Sequence, residues 1–220
     1  MSAYHPWSQG TDTDRSRYHI EGSGMIGVIL AAGMAKRLRP LTDTKPKCLL
    51  EVGGKTLLQR TVDAMASAGI SEFLVVTGYR ASMIRDFLGS YGKNPRISYI
   101  DNPDYEHNNN IFSLWLAMQE LHGQEVLLMD SDILCDPEAV RRVASQECSA
   151  LAMQRHELGE EEMKIVVDAD FNITEISKTC RIEDAVGESV GIEKMTSEYT
   201  EAIYQELRKM ILDENLIDIF

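Results

Sequence analysis

Two segments of the sequence carry side chains that could act on a phosphate compound. The first is the basic stretch GVILAAGMAKRLRPLTDTKPKCLL at residues 27–50, in which Arg37 and Lys47 stand on either side of Pro40 and Pro46. Arginine presents a planar fork of donors to phosphate oxygens and lysine a compact charge, so the pair could neutralise a polyphosphate from two sides. The prolines would restrict the path between them. We therefore predict a nucleoside triphosphate site in this stretch, which we call the basic loop.

The second segment, EVLLMDSDILCD, ends an apolar run with carboxylates. They are Asp130, Asp132 and Asp136. Mg²⁺ prefers one or two carboxylates together with substrate phosphate and water. The plain alternative is a turn in which aspartate bonds to the backbone after a strand. Placed beside a triphosphate, these carboxylates predict Mg²⁺ as the cofactor.

Neither of the common phosphate-binding loops fits residues 27–50. The dinucleotide pattern G-x-G-x-x-G fails because Met34 and Ala35 follow Gly33. The P-loop fails because Leu38 stands where its second glycine is needed. A merely solvated basic turn is the remaining plain alternative, and two prolines among several cations make it the weaker one.

The composition excludes several classes of partner. The net charge of −13 argues against a nucleic acid or an anionic membrane surface, both of which require a basic face. The four cysteines lack the spacing of a zinc site or a C-x-x-C pair, so we read them as reduced thiols and expect a cytoplasmic protein. No apolar run approaches the roughly 18 residues of a membrane span.

The apolar pattern alternates between strands and helices over the first part of the chain. We expect strands at residues 25–30, 73–77, 96–100 and 125–129, and helices at 56–68, 81–88, 110–121 and 137–145. Continuous apolar strands alternating with helices indicate βαβ units and a mostly parallel sheet covered on both faces. Ligands of such sheets bind beyond the carboxyl ends of the strands, where the basic loop and the carboxylates both fall.

The pattern changes after residue 148. We expect shorter strands at 150–154, 164–168, 173–176 and 189–192, and a long helix at 195–212. We predict one domain over residues 25–220, divided into a nucleotide-binding half (25–148) and an acceptor-binding half (149–220). Residues 1–24 lack a continuous apolar segment and are expected to be a flexible leader or an artificial tail. The apolar ending LIDIF predicts that the native chain continues beyond Phe220.

The segment LAAGMAKRLRPLTDTKPKCLLEVGGKTLLQR resembles the signature of the nucleotidyltransferases that activate sugar phosphates and alcohol phosphates. The pattern L-A-A-G-x-G-x-R-L-x-P-L-T, then P-K and K-x-L, runs from Leu30 to Leu58. The resemblance implies an α/β fold of the nucleotide-diphospho-sugar transferase type. That fold is a Rossmann-like, mostly parallel sheet flanked by helices, with a smaller mixed second half. Ala35 departs from the pattern where a second glycine is usual, and its methyl group predicts a slightly more open or shifted loop.

The resemblance also implies roles for individual residues. It implies that Arg37 contacts the β- and γ-phosphates, and that Lys47 contacts the α-phosphate or the incoming phosphate. It implies that Asp132 binds the metal, that Asp130 supports it or faces the acceptor, and that a second metal carboxylate lies late in the chain, with Asp218 as candidate. The further nucleotide-binding residues implied are Leu30, Ala31, Ala32, Gly33, Met34, Ala35, Lys36, Gly78 and Tyr79.

The segment DNPDYEHNNNIFSLWLAMQEL resembles the cytidylyltransferase branch that activates phosphocholine and 2-aminoethylphosphonate. Asn109, Asn110 and Ser113 fall on its N-N-x-x-S-L pattern and are expected to bind the nucleotide. The plain alternative is helix capping, which we favour for Asn108, and for Trp115 we favour a place in the core. The acceptor-binding residues implied in the second half are Lys164, Lys178 and Glu188.

The implied reaction joins CMP from CTP to a small phosphate or phosphonate and releases pyrophosphate. The attacking oxygen is ionised at neutral pH, so catalysis needs positioning and charge neutralisation rather than a general base. One alternative is a sugar-1-phosphate nucleotidylyltransferase that uses UTP, GTP or dTTP. Another is a nucleotide-binding regulatory subunit without activity. The oligomeric state is open, with a homodimer among the options.

Overall fold

The computed structural model describes residues 24–92 and 95–217, which contain ten strands and five α-helices. The strands are β1 (Ile26–Ala31), β2 (Glu51–Val52), β3 (Lys55–Thr56), β4 (Glu72–Thr77), β5 (Arg96–Asp101), β6 (Val126–Asp130), β7 (Ala150–Gln154), β8 (Lys164–Val167), β9 (Ile173–Ser177) and β10 (Gly187–Met195). The helices are α1 (Leu57–Ser67), α2 (Ala81–Gly89), α3 (Asn110–Leu121), α4 (Pro137–Ala144) and α5 (Ser197–Leu212). Short 3-10 turns lie at Lys36–Leu38, Lys47–Leu49 and Ile182–Asp184.

Each strand and α-helix predicted from the sequence is present, and the clearest difference lies at the junction of β10 and α5. Met195 belongs to the strand rather than to the helix. The helix begins at Ser197 because the Thr196 hydroxyl accepts a hydrogen bond from the backbone N–H of Tyr199. The small β2–β3 hairpin was not predicted, although Gly53 and Gly54, both with positive φ, supply the turn it needs.

The α/β class and the parallel centre of the sheet are confirmed. The strand order is β5-β4-β1-β6-β10-β8-β9, and β7 also pairs with β10. The strands β5, β4, β1 and β6 run parallel, whereas β10 is antiparallel to β6, β7 and β8. Strands of both predicted halves thus join one sheet.

Helices cover both faces of the parallel strands. Side chains of α1, α2 and α4 pack with Ile29 of β1 in one core cluster, and side chains of α3 and α5 pack with Val28 in another. Neither Ile29 nor Val28 is accessible to solvent. Neighbouring side chains of a strand point to opposite faces, so burial on both sides explains the uninterrupted apolar sequence of β1.

The strand order reverses between β1 and β6. From β1 the chain passes through α1 to β4 and through α2 to β5, and then α3 returns it to β6 on the other side of β1. The register places Leu30 opposite Asp130 at the carboxyl ends of the two strands. This reversal is the switch point at which open α/β sheets bind their ligands.

The long strand β10 bends at Gly191. Its pairing with β7 shifts register between Ser189 and Glu193, and Gly191 has a positive φ of 71°. A Cβ atom at position 191 would lie 2.7 Å from Oδ2 of Asp130 and 3.1 Å from Cδ1 of Ile133. The bend therefore requires glycine both for its backbone conformation and for the approach of the Asp130 carboxyl group.

We predict that Gly191→Ala lowers the free energy of unfolding by roughly 2 kcal/mol or more, from left-handed strain and overpacking together. Urea unfolding followed by circular dichroism measures the change. The matched control is Gly89→Ala at the end of α2, where an added Cβ meets no heavy atom within 4 Å. Its expected effect is within about 0.5 kcal/mol. Equal stability of the two variants would contradict the account of the bend.

Candidate active site

A cavity of about 210 Å³ opens at the switch point. It is lined by Leu30, Ala31, Gly33, Ala35, Pro46, Lys47, Cys48, Asn110, Asp130, Ser131 and Asp132. The basic loop after β1 and the carboxylates after β6 therefore meet in one place, as the sequence predicted. Both segments lie at the carboxyl ends of adjacent parallel strands, which is why residues far apart in the chain share the cavity.

The basic loop turns at Ala35, which has a positive φ of 48°. An L-residue in this region carries a strain of roughly 1–2 kcal/mol, which gives a physical reason for glycine at this position. The Ala35 carbonyl accepts hydrogen bonds from the Thr42 hydroxyl and from the backbone N–H of Leu38, both at 3.0 Å. These bonds hold the strained turn at the edge of the cavity.

Residues at the end of β4 tie down the loop. The Tyr79 hydroxyl lies 2.9 Å from the carbonyl oxygens of Thr42 and Asp43, and the Tyr79 N–H donates to the Ala32 carbonyl at 2.9 Å. A Cβ atom at Gly78 would lie 2.8 Å from that same carbonyl. In the structure, these two predicted nucleotide-binding residues, Gly78 and Tyr79, position the loop and do not line the cavity.

Lys47 and Asp132 form an ion pair across the cavity, with the Lys47 ammonium donating to Oδ2 of Asp132. The Lys47 side chain is 37% exposed and that of Asp132 32% exposed, so a ligand can reach both. A bound phosphate could attract the ammonium group and leave the carboxylate for a cation. Lys47, which was predicted to neutralise phosphate charge, and Asp132, which was predicted to bind the metal, are therefore neighbours in space.

Asp130 lies deeper than Asp132. Burial, together with the negative charges of Asp132 and Glu193, raises the pKa of Asp130 to about 7, although Lys47 lowers it. At neutral pH this carboxyl group therefore holds a proton more readily than an ordinary aspartate does. The cavity consequently carries less negative charge than its sequence suggests.

Cys48 also lines the cavity, and burial raises the pKa of its thiol to about 12. The thiolate is the reactive form of cysteine, so Cys48 is a packing residue at neutral pH rather than a nucleophile. Cys48, Pro46 and Ser131 were not predicted as site residues. Their position beside Lys47 and Asp132 in the sequence was the signal available for them.

Asparagines begin α3, and their roles differ from the prediction. The Asn109 side chain caps the helix by accepting from the Asn110 N–H at 3.0 Å, and the Asn109 N–H donates to the Ile217 carbonyl at 3.0 Å. Asn108 instead exchanges two side-chain hydrogen bonds with Asn102, at 2.8 and 3.0 Å. The expectation that Asn108 caps the helix is therefore wrong, because the extended residue before the first turn is Asn109.

Asn110 lines the cavity, whereas Ser113 does not. Ser113 is buried, and its hydroxyl accepts from the Asn102 side chain at 3.1 Å. Trp115 is buried in the core beside α5, as predicted. Among the three predicted residues of this segment, Asn110 lines the cavity, Asn109 caps the helix that begins there, and Ser113 bonds to the Asn102 side chain.

Arg37 lies in the 3-10 turn Lys36–Leu38, outside the cavity wall. Its side chain is exposed and makes no hydrogen bond or ion pair with the described residues. Lys36 is likewise exposed, and Met34 lies between Gly33 and Ala35 on the same loop. The phosphate-binding role predicted for Arg37 requires its guanidinium group to turn toward a ligand.

Lys164 is fully buried and already bound. Its ammonium group donates to the carbonyls of Lys178 at 2.6 Å, Glu160 at 3.3 Å and Glu162 at 3.4 Å. The Lys178 side chain pairs with Glu161 at 3.4 Å. Neither lysine lines the cavity at the switch point, and the placement of Lys164 favours a structural role.

Glu188 lies on the bent part of β10, away from that cavity. Its carboxylate accepts a hydrogen bond from Nε2 of His156 at 2.7 Å, and this bond is the main cause that raises the pKa of His156.

Asp218, the predicted second metal ligand, lies outside the described residues. Within residues 24–92 and 95–217 no cluster of three or more potential metal ligands is present. Every helix there is too short or too polar to span a membrane.

Residues 27–178 match the sequence family of MobA-like NTP transferase domains. The CMP-5'-(3-aminopropyl)phosphonate synthase of Streptomyces rubellomurinus is 34% identical over 129 residues, 58% of this chain and 20% of that protein. The 2-aminoethylphosphonate cytidylyltransferase of Lancefieldella rimae is 29% identical over 113 residues, 51% of this chain and 45% of that protein. The chain therefore spans less than half the length of these two relatives.

The fold also matches that of a solved structure, the CTP:phosphocholine cytidylyltransferase from Streptococcus pneumoniae. The TM-score is 0.72 with 24% sequence identity, over 89% of this chain and 82% of the other. At this identity the likeness establishes the fold, and it agrees with the observed parallel sheet flanked by helices.

We predict that Lys164→Met lowers the free energy of unfolding by about 2 kcal/mol or more, because buried carbonyl groups lose a charged donor. Chemical denaturation measures the loss. The matched control is Lys178→Met, whose exposed pair with Glu161 predicts a change below about 1 kcal/mol. A stable Lys164→Met protein that binds an acceptor more weakly would restore the acceptor role instead.

Proposed function

The chain belongs to the family of MobA-like NTP transferase domains, and we propose that it transfers CMP from CTP to a small phosphate or phosphonate. The observation that carries this proposal is the Lys47–Asp132 pair in the cavity at the switch point. It brings a cation for the reacting phosphate and a carboxylate for a metal within contact distance. The cytidylyltransferase activity named for the relatives favours CTP as the nucleotide.

The proposed reaction is an in-line displacement at the α-phosphorus. A phosphate or phosphonate oxygen of the acceptor forms a bond to that phosphorus, and the bond to the bridging oxygen of pyrophosphate breaks. The nucleophile is already an anion, so no proton has to be removed. Two anions approach each other, and Lys47 offsets the charge that accumulates as they meet. Small residues at Ala31 and Gly33 allow the backbone to approach the nucleoside.

The cavity suits Mg²⁺. Asp132, with Asp130 behind it, offers carboxylate oxygens beside the space for the phosphates, and a hard divalent cation prefers such oxygen donors. We propose that Asp132 holds the ion with support from Asp130. Bound there, Mg²⁺ would neutralise charge on the triphosphate and help to orient it. Arg37, exposed on the neighbouring turn, would contact the outer phosphates.

A substrate panel tests the proposal. Pyrophosphate release is measured with CTP, UTP, GTP and dTTP in the presence of Mg²⁺. Each nucleotide is combined with phosphocholine, 2-aminoethylphosphonate or glucose 1-phosphate. We expect turnover with CTP and an amino-alkyl phosphate or phosphonate. Turnover confined to a sugar phosphate with another nucleotide would establish the rival transferase. Tight CTP binding without any turnover would establish a regulatory nucleotide-binding protein.

We predict that Lys47→Met reduces kcat by roughly 10²–10³-fold and weakens CTP binding much less, because its charge matters most in the transition state. Steady-state kinetics and calorimetric CTP binding separate the two effects. The matched control is Lys45→Met, which removes a cation from the same loop but not from the cavity wall. Wild-type kcat in Lys47→Met would contradict the assigned role.

A further inference from the structure

A second groove, of about 540 Å³, lies over the antiparallel part of the sheet. We call it the elbow groove because the part of β10 that follows the bend at Gly191 forms one of its walls. Its walls include Leu151, Ile165, Val167, Ile176, Glu193 and Tyr199. These residues come from β7, β8, β9, β10 and the first turn of α5. The groove is thus a composite of several elements and lies apart from the switch-point cavity.

The walls of the elbow groove are mainly apolar, and their charged residues are Glu193, Asp170 and Lys194. Glu193 lies opposite Leu151 in the pairing of β10 with β7, and Ile165 lies opposite Ile176 in the pairing of β8 with β9. Directly opposed residues share a face of the sheet, so Glu193 faces the groove together with aliphatic side chains. Glu193 is half-buried there, so a cation that enters the groove can reach its carboxylate.

No partner for Glu193 comes from the described part of the chain. Its carboxylate makes no hydrogen bond and no ion pair there. The next residue, Lys194, is already neutralised, because its ammonium group lies 2.8 Å from Oε1 of Glu125 and donates to the Gln146 carbonyl. Burial raises the pKa of Glu193, as expected for an uncompensated acid.

An aromatic ring lies close to this carboxylate. Tyr199 lines the groove, and the pKa of its phenol is raised by burial and by the negative charge of Glu193. A concave, mainly apolar surface with an aromatic ring beside the unpaired Glu193 carboxylate suits an ammonium group attached to carbon. It does not suit Mg²⁺, which needs several oxygen ligands or waters in place of apolar walls.

We propose that the elbow groove binds a small organic cation, a primary or quaternary ammonium ion, with Glu193 as its counter-ion and Tyr199 as part of its wall. The net charge of −13 adds a general attraction for cations. The proposal does not depend on the proposed function, because the groove and its charge are defined without reference to nucleotide chemistry.

Two kinds of molecule could supply the ammonium group. One is a free amine that occupies the groove separately. The other is the amino end of an acceptor whose phosphate lies in the switch-point cavity. The second source is geometrically reasonable because Asp130, which lines that cavity, is close enough to Glu193 to feel its charge. The shared chemistry is the ammonium ion, and the experiment separates the sources.

The test is a titration of the whole chain with tetramethylammonium chloride, observed through ¹³C-labelled methionine methyl groups. Met153 and Met195 line the groove and report on binding there. We expect saturable shifts of these two signals that sodium chloride does not reproduce. Glu193→Gln should weaken binding about tenfold or more. The matched control is Glu175→Gln, an exposed residue of β9 next to Ile176 and thus on the opposite face, and it should bind like the wild type.

Thermal melting checks that Glu193→Gln acts through charge. Removing an uncompensated carboxylate should leave the melting temperature equal or higher. A clearly lower value would show that Glu193 already has a partner in the folded chain and would overturn the proposal. A second variant, Leu151→Lys, places an internal ammonium group opposite Glu193 and should also weaken the titration.

A comparison of ethylamine with 2-aminoethylphosphonate identifies the source. If the phosphonate binds more tightly than ethylamine and Lys47→Met abolishes the difference, the ammonium group belongs to the acceptor. If both bind equally and Lys47→Met has no effect, it belongs to a separate amine. Absence of saturable shifts at Met153 and Met195 with all these cations would overturn the proposal. A dimer that covers the groove, is detected by light scattering and is unaffected by these cations would also overturn the proposal.

Discussion

The parallel pairing of β1 with β6 is the constraint on which the candidate active site depends. The register places Leu30 opposite Asp130, so the basic loop and the carboxylates leave the sheet side by side. A slip of one residue would exchange Val28 and Ile29 between two cores that are packed by different helices. Apolar packing below the cavity therefore sets the register that brings the basic loop and the Asp132 segment side by side.

The Lys47–Asp132 ion pair itself contributes little to stability. Both side chains are about one third exposed, and exposed ion pairs contribute roughly 0–1 kcal/mol. A weak pair suits a site whose charges must be redistributed when an anionic ligand arrives. In the free protein the two groups neutralise each other, and with a triphosphate and a metal bound each would gain a stronger partner. The acidic surface elsewhere does not prevent an anionic ligand from binding, because the basic loop provides a local positive field.

The parts of the site that follow from strand ends could be predicted from the sequence. Asp132 follows the end of β6, Lys47 lies on the basic loop after β1 and Asn110 begins α3, and the structure brings all three to one cavity. The failures arise where tertiary contacts decide. The three hydrogen bonds that hold Lys164 could not be predicted, because the carbonyls that accept them converge only when β8 and β9 pair. The cap of α3 moved from Asn108 to Asn109, a boundary shift that no local propensity distinguishes.

Two residues near the cavity are expected to lower the free energy of unfolding, and in this they differ from the residues that pack the cores. Ala35 adopts a left-handed conformation that glycine would tolerate without strain, and Glu193 holds a half-buried carboxylate that makes no hydrogen bond or ion pair in the described chain. Packing requires neither side chain. Glycine at position 35 would remove the backbone strain, and glutamine at position 193 would remove the unpaired charge. Local violations of this kind concentrate where a ligand completes the structure. The negative charge of Glu193 also reaches Asp130, so a cation in the elbow groove would alter the electrostatics of the switch-point cavity through one pair of carboxyl groups.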